Sequence, residues 1–243
     1  MSRALTTGAA GGVIGAITAS VGMIWSIVNT LFLQDFSFYV LYLQTDVILL
    51  VCLYVVFPMF GIEYPPSGFY LTVFSFVLAV LLIVSLVLSG VGFYGVYRRG
   101  GGGAGLLALI AAITGGTLGA TLTTLGNITG NHSIIPCFCS NGGTYFFNLP
   151  VYVGPNYLFV WVGMLVVAVT FILLGSASIA VRASTATPSV ALKAGIISII
   201  GACFLGFPPI PWLWFFWLLA FTLMLVAFVL WTVVFYSSRE AIF

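Results

Sequence analysis

Long apolar runs fill this chain almost from end to end, and short polar or glycine- and proline-rich segments separate them. About 20 consecutive apolar residues are needed for a helix to cross a bilayer. Runs of that length predict helices at about 8–33, 36–60, 69–97, 104–126, 156–182, 189–206 and 211–236. The pattern therefore predicts an all-α fold, a polytopic transmembrane helix bundle with about seven spans, in which residues 1–243 form one integral membrane domain.

The composition points the same way. Hydrophobic residues make up 62% of the chain and charged residues only 4%, and the mean hydropathy is +1.27. Six basic and four acidic side chains are too few to cover the surface of a soluble fold, so we expect membrane lipids to be the main partner of this surface. They are also too few for the clustered basic face of a nucleic-acid-binding protein, so nucleic acid is excluded as a partner.

The number of spans depends on residues 36–60. Gln44, Thr45 and Asp46 interrupt this run and leave only 47–60 continuous, which is closer to the length of a re-entrant segment. We prefer seven spans because residues 36–43 are themselves apolar and would be poorly placed in water. In the alternative, six helices span and 36–60 is re-entrant.

The basic residues predict the orientation, because cytoplasmic loops carry an excess of Lys and Arg. With seven spans, Arg3 alone lies outside, together with the N-terminus and the extracytoplasmic loop 127–155. With six spans, all the cations lie inside. In both cases we expect an integral protein of the plasma membrane. The remaining cations are Arg98, Arg99, Arg182, Lys193 and Arg239.

Small residues recur at every fourth position in three of the predicted helices. Lipid provides no hydrophobic drive between helices, so small side chains favour association by allowing backbones to approach closely. We therefore expect helices 8–33, 104–126 and 189–206 to form the core, with the bulkier helices around them. The predicted packing residues are Gly11, Gly15, Gly115, Gly116, Gly119, Ser198 and Gly206.

The candidate polar residues inside the predicted spans are Gln44, Asp46 and Lys193. A charge at the bilayer centre is unfavourable by about 2.5–3.5 kcal/mol on insertion scales, which makes such a residue functional by default. An Asp46–Lys193 pair would indicate an ion or proton path. The alternatives are a neutral Asp46 hydrogen-bonded between helices, a segment that does not cross, and a Lys193 side chain that extends to the interface.

The loop 127–155 contains the other candidate residues. Asn127 and Asn131 begin N-x-Ser/Thr sequences, which accept glycans. His132, Cys137 and Cys139 are weak candidates for metal ligands, but no fourth ligand is evident and we predict no metal site. The stretch 142–154 predicts a short hairpin on the outer surface.

No motif for catalysis or for a cofactor is present. The chain lacks a phosphate-binding glycine loop, an HExxH motif, a nucleophile elbow and a carboxylate pair, so we predict that it is not an enzyme and has no cofactor. The first functional hypothesis is a non-catalytic accessory or scaffold subunit that binds other membrane protein subunits. The alternative is a small-molecule or ion transporter or channel-like protein using Asp46 and a threonine-lined helix face, formed by Thr114, Thr117, Thr121 and Thr124.

Overall fold

The computed structural model describes residues 2–33, 67–98, 103–128, 131–137, 147–154, 157–207 and 214–240. Six helices within these ranges are long and apolar enough to cross a membrane, which confirms the polytopic helical fold. They are α1 (Ser2–Leu33), α2 (Ser67–Tyr97), α3 (Ala104–Ile128), α4 (Tyr157–Ala180), α5 (Pro188–Leu205) and α6 (Trp214–Glu240).

A two-stranded antiparallel sheet lies between α3 and α4 in the chain. Strand β1 (Asn131–Cys137) pairs with β2 (Phe147–Gly154). A hairpin was predicted within 142–154, but that stretch supplies only the second strand. The first strand comes from the residues directly after α3, where Pro136 and the mixed polar positions gave no strand pattern.

The six helices form a closed ring. Each helix packs against the helices before and after it, and α6 closes the ring by packing against α1. Neighbouring helices are antiparallel throughout. For example, Gly8 of α1 faces Gly92 of α2, whereas Gly11, further along α1, faces Ser89, which is earlier in α2. The result is an up-and-down bundle in which all helix ends lie on two opposite faces.

This topology bears on the number of spans. The antiparallel pairing of α1 and α2 places Leu33, where α1 ends, on the same face as Ser67, where α2 begins. The predicted helix 36–60 lies outside the described residues. However, a single crossing between Leu33 and Ser67 would leave α1 and α2 parallel, so the antiparallel pair favours the six-span alternative.

The predicted core of three small-residue helices is wrong. The small-residue helices α1, α3 and α5 do not adjoin one another but alternate around the ring with the bulkier α2, α4 and α6. The bulkier helices carry glycines of their own at these contacts, where Gly92 of α2 meets Gly8 of α1 and Gly175 of α4 meets Gly195 of α5, so a small-residue helix can approach a bulky helix as closely as it could another small-residue helix. Each small-residue helix therefore lies between two bulky helices, and the bulky side chains fill the middle.

Aromatic rings from the three bulky helices occupy the centre of the bundle. Trp231 of α6 is fully buried and contacts Phe93 of α2 edge-on, with ring centroids 5.5 Å apart. On its other side it stacks on Phe171 of α4, with centroids 6.3 Å apart and the ring planes 5° from parallel. Phe228 and Phe235, both on α6, complete the cluster. These aromatic side chains fill the interior of the helix bundle at this level.

Candidate functional site

Two buried hydrogen bonds link α4 to α5 and α6 beside the aromatic cluster. The Ser178 hydroxyl donates to the carbonyl of Ala191 at 2.8 Å, and the indole N–H of Trp231 donates to Ser178 Oγ at 3.3 Å. A third link is made by Ser198, which donates to the carbonyl of Phe171 at 3.0 Å. The only signal for such a hydrogen bond in the sequence is a serine within an apolar helix. Ser198 was predicted as a small packing residue and not as a hydrogen-bond donor, and Ser178 was not predicted.

The predicted packing residues of α1 lie at its contacts with two different helices. A Cβ added at Gly11 would lie 2.6 Å from the backbone nitrogen of Ser89 on α2, and one added at Gly15 would collide with the ring of Phe228 on α6. One glycine-rich helix therefore serves two interfaces, and its glycines allow both neighbours to approach its backbone.

The glycines of α3 are divided in the same way. A Cβ at Gly116 would meet Leu86 of α2 at 3.1 Å, and one at Gly119 would meet Val167 of α4 at 2.6 Å. Gly115 faces Thr170 of α4.

Gly206 has a different role from the other predicted packing residues. It caps the C-terminus of α5 and accepts a hydrogen bond from the indole of Trp161 at 3.1 Å. A Cβ there would make only ordinary contacts, the nearest at 3.5 Å. Gly206 therefore contributes its backbone carbonyl as an acceptor, and the absence of a side chain is not required for packing at this position.

Three of the four threonines of the predicted face on α3 point away from the interior of the ring, whereas the fourth, Thr124, is half-buried. Thr114, Thr117 and Thr121 are exposed. The hydroxyls of Thr114 and Thr117 donate to the carbonyls of Ile110 and Ile113 on the same helix, at 2.9 Å and 2.6 Å. These side chains therefore face the surroundings of the bundle and do not line a path through its centre.

A shallow apolar groove runs beside this face, between α3 and α4. It has a volume of about 320 Å³. Its floor is formed by small residues of α3, and its far wall by branched side chains of α4. It is lined by Ala111, Thr114, Gly115, Val162, Leu165, Val166, Val169, Thr170 and Leu173. Small residues and hydroxyls next to a groove are typical of helix–helix contacts in membranes.

The charges are distributed unequally between the two faces. The basic end, as we name it, is the face that carries every cation among the described residues: Arg3, Arg98, Arg182, Lys193 and Arg239. The start of α1 lies on this face, so the prediction that the N-terminus lies opposite the other cations is wrong. The reason is the antiparallel pairing of α1 with α2, which places both chain termini on one face.

Of the proposed intramembrane pair, Asp46 and Lys193, the structure describes only Lys193. Gln44 and Asp46 lie outside the described residues. Lys193 is exposed on α5, five residues after Pro188, where that helix begins. It therefore lies on the outer side of the bundle near the basic end.

The candidate residues of the loop 127–155 lie on the opposite face. Asn127 is in the last turn of α3, and Asn131 begins β1. His132 and Cys137 are both on β1, five residues apart. Cys139 lies outside the described residues. Elsewhere in the described part of the chain, no three His, Cys, Asp or Glu residues cluster as a metal site would require.

These features define the class of the protein: a multi-pass integral membrane protein built as a closed, up-and-down helix bundle with a packed interior. No protein family model, curated protein or solved structure matches the chain. Its function must be argued from its own surfaces.

Proposed function

We propose that this protein is a non-catalytic accessory or scaffold subunit of a larger membrane protein assembly. The observation that carries the proposal is the outer face of α3, where Thr114, Thr117 and Thr121 are exposed and Thr114 lines the groove against α4. In the bilayer, close approach of small residues and interhelical hydrogen bonds both favour association. We assign this face as the contact for a transmembrane helix of another subunit.

The packed interior supports a scaffold over a transporter. A transport path needs a polar lining, but the rings around Trp231 fill the centre, and Thr114, Thr117 and Thr121 of α3 lie on the outside. Among the buried polar side chains, Ser178 and Ser198 are bonded to neighbouring helices, whereas Ser89 Oγ on α2 has no hydrogen-bond partner within the described residues. A rigid, closed bundle is suited to presenting a fixed outer surface.

We further propose that the basic end faces the cytoplasm and that the protein resides in the plasma membrane. The positive-inside rule supports this orientation, since all the described cations lie on that face. The sheet β1–β2 then lies outside, together with the glycan acceptor candidates Asn127 and Asn131. Asn127 is held in the last turn of α3, close to the expected membrane boundary, so Asn131 is the better candidate for modification.

The first test is a crosslink from the proposed contact. A photoreactive amino acid replaces Thr117 in the full-length protein in its native membrane, and the same residue placed at Ile200, which is 44% exposed on α5, is the control. We expect one discrete protein adduct from position 117 and none from position 200. Lipid adducts alone from both positions would refute the proposed contact.

The second test asks whether the same face holds the assembly together. Thr117→Leu and Thr121→Leu add bulk to the proposed contact, and Ser176→Leu makes a comparable change at an exposed position of α4. After purification in mild detergent, a partner present in fixed stoichiometry should be lost from the threonine variants and retained by Ser176→Leu. An isolated protein that carries out solute flux after reconstitution would instead favour the transporter hypothesis.

A further inference from the structure

Two tryptophan side chains mark one level of the bundle, near the face opposite the basic end. The indole N–H of Trp161 on α4 donates to the carbonyl of Gly206 at 3.1 Å. The indole N–H of Trp217 on α6 donates to the carbonyl of Phe207 at 3.0 Å. The two acceptors are consecutive residues directly after α5, so both indoles lie where that helix ends. These bonds satisfy carbonyls that a helix end leaves unpaired, as the edge of a hydrocarbon layer requires.

The cations of three helices mark a second level at the basic end. Gly8 of α1 lies against both Gly92 of α2 and Phe235 of α6, so the three helices share a common level there. From that level each helix runs between four and six residues further to its cation, about 6–9 Å along its axis. The cations reached in this way are Arg3, Arg98 and Arg239.

Arg182 belongs to the same level. It begins the 3-10 turn after α4, and the backbone N–H of Ala186 in the following turn donates to Ser238 Oγ at 3.2 Å. This bond fixes the α4–α5 turn against the end of α6. Glu240, which is exposed two residues after Ser238, adds a carboxylate. The level is therefore a charged rim of mixed sign.

The two levels are almost equally far apart on two helices. On α4, Arg182 follows Trp161 by 21 residues, and on α6, Arg239 follows Trp217 by 22 residues. At about 1.5 Å per residue, these separations are about 32 and 33 Å along the helix axes. A helix tilt of about 20° reduces both to about 30–31 Å across the membrane.

The outer surface between the two levels is apolar apart from one charged residue. On α6 the exposed side chains there are Val226, Val229, Val233 and Tyr236. Among the described residues, Lys193 is the one charged side chain between the levels, five residues into α5. Its stem extends the ammonium group toward the charged rim.

We propose that the bundle fits a bilayer whose hydrocarbon layer is about 30 Å thick, bounded at Trp161 and Trp217 on one side and at Arg182 and Arg239 on the other. This surface distinguishes phospholipids by chain length. Chains that are too short leave apolar side chains of α6 outside the hydrocarbon, and chains that are too long bury the charged rim.

The first test measures depth at single positions of the full-length protein in phosphatidylcholine vesicles. A spin label on a non-natural ketone amino acid replaces Leu173 on α4 or Val229 on α6. Both positions are exposed, and both lie within about 2 Å of the point halfway between the two levels. The controls are Phe159 and Tyr236, which are exposed on the same helices close to the levels.

The readout is the ratio of the label's collision rates with oxygen and with a water-soluble nickel chelate. We expect equal ratios at Leu173 and Val229, and ratios about fivefold lower at the two controls, because water does not enter the hydrocarbon. A control ratio as high as those at the central positions, or clearly unequal ratios at Leu173 and Val229, would overturn the proposed boundaries.

The second test measures which lipid the surface prefers. Phosphatidylcholines with brominated chains compete with unbrominated phosphatidylcholine for the surface of the protein, and quenching of its tryptophan fluorescence reports their relative affinity. Chain lengths are chosen to give hydrocarbon layers of about 24, 30 and 36 Å. The affinity should be highest at about 30 Å and about threefold lower at about 24 and 36 Å. An affinity that does not depend on chain length, or that is highest at either extreme, would refute the fit.

Discussion

Removing the indole of Trp231 should weaken the whole bundle, because this one side chain joins three helices. Its ring contacts Phe93 of α2 and Phe171 of α4, and its N–H donates to Ser178 of α4. It is fully buried. Trp231→Ala would therefore open a cavity at the point where the three bulky helices meet.

The expected magnitude follows from the contacts that are lost. Each aromatic pair contributes about 0.5–1.5 kcal/mol, and Trp231 forms such pairs with Phe93, Phe171 and Phe228. A hydrogen bond within a membrane bundle adds about 0.6 kcal/mol. We expect a loss of about 3 kcal/mol, at the lower end of the range of about 3–5 kcal/mol for Phe or Trp to Ala in soluble cores. The lower end applies because the unfolded helices remain in lipid.

The assay is equilibrium unfolding in mixed micelles, followed by far-ultraviolet circular dichroism so that the lost fluorophore does not matter. Trp231→Phe should lose only about 1 kcal/mol, because it keeps part of the ring contacts. Tyr236→Ala, at a site that is 52% exposed on the same helix, is the control and should change stability by less than about 0.5 kcal/mol. Equal losses in Trp231→Ala and Tyr236→Ala would refute the packed centre.

Three further predictions test the packing and the topology. Gly119→Ala should lower the free energy of unfolding by about 1–3 kcal/mol, because the added Cβ would lie 2.6 Å from a side chain of α4. The control Gly103→Ala should have no effect, because no atom lies within 4 Å of a Cβ at that position. Equal effects of the two variants in the same unfolding assay would contradict the close approach of α3 and α4. Ser178→Ala leaves the Trp231 N–H without its acceptor and should lower stability by about 0.6–1.7 kcal/mol, the range of hydrogen bonds in a membrane bundle. An unchanged unfolding midpoint would show that this bond contributes little. Reporter tags fused to the two termini should both be cleaved by protease from the same side of the membrane, and cleavage from opposite sides would contradict the antiparallel pairing of α1 with α2.

The sequence was sufficient to predict the class of fold and most of the helices. Apolar length alone identifies a membrane span, because each helix satisfies its own backbone hydrogen bonds in lipid. For α3, the predicted range 104–126 differs from Ala104–Ile128 only at its end. The start of α6 was predicted at about 211, whereas the helix is described from Trp214.

The arrangement of the helices could not be predicted in this way. Small-residue ladders identified faces that other helices approach closely, and Gly11, Gly15 and Gly119 do lie at such contacts. The ladders did not indicate which helix fills each face, because a glycine face accepts a bulky partner as readily as a flat one. The same limit applies to the α3 threonines, since a hydroxyl bonded to its own helix can face either lipid or protein.

Charge and topology together give the strongest argument about this chain. On the sequence alone, a crossing at 36–60 left Arg3 on the wrong side, and this single exception was accepted because residues 36–43 are apolar. The antiparallel contact between Gly8 and Gly92 removes the exception, since it places Arg3 on the same face as Arg98 and every other described cation. Three of the four acidic residues, Asp35, Asp46 and Glu63, belong to the segment 34–66, whose flanking residues lie on the opposite face. The fourth, Glu240, lies at the basic end. Two independent properties, charge and helix packing, therefore agree on the face at which each of the six described helices begins and ends.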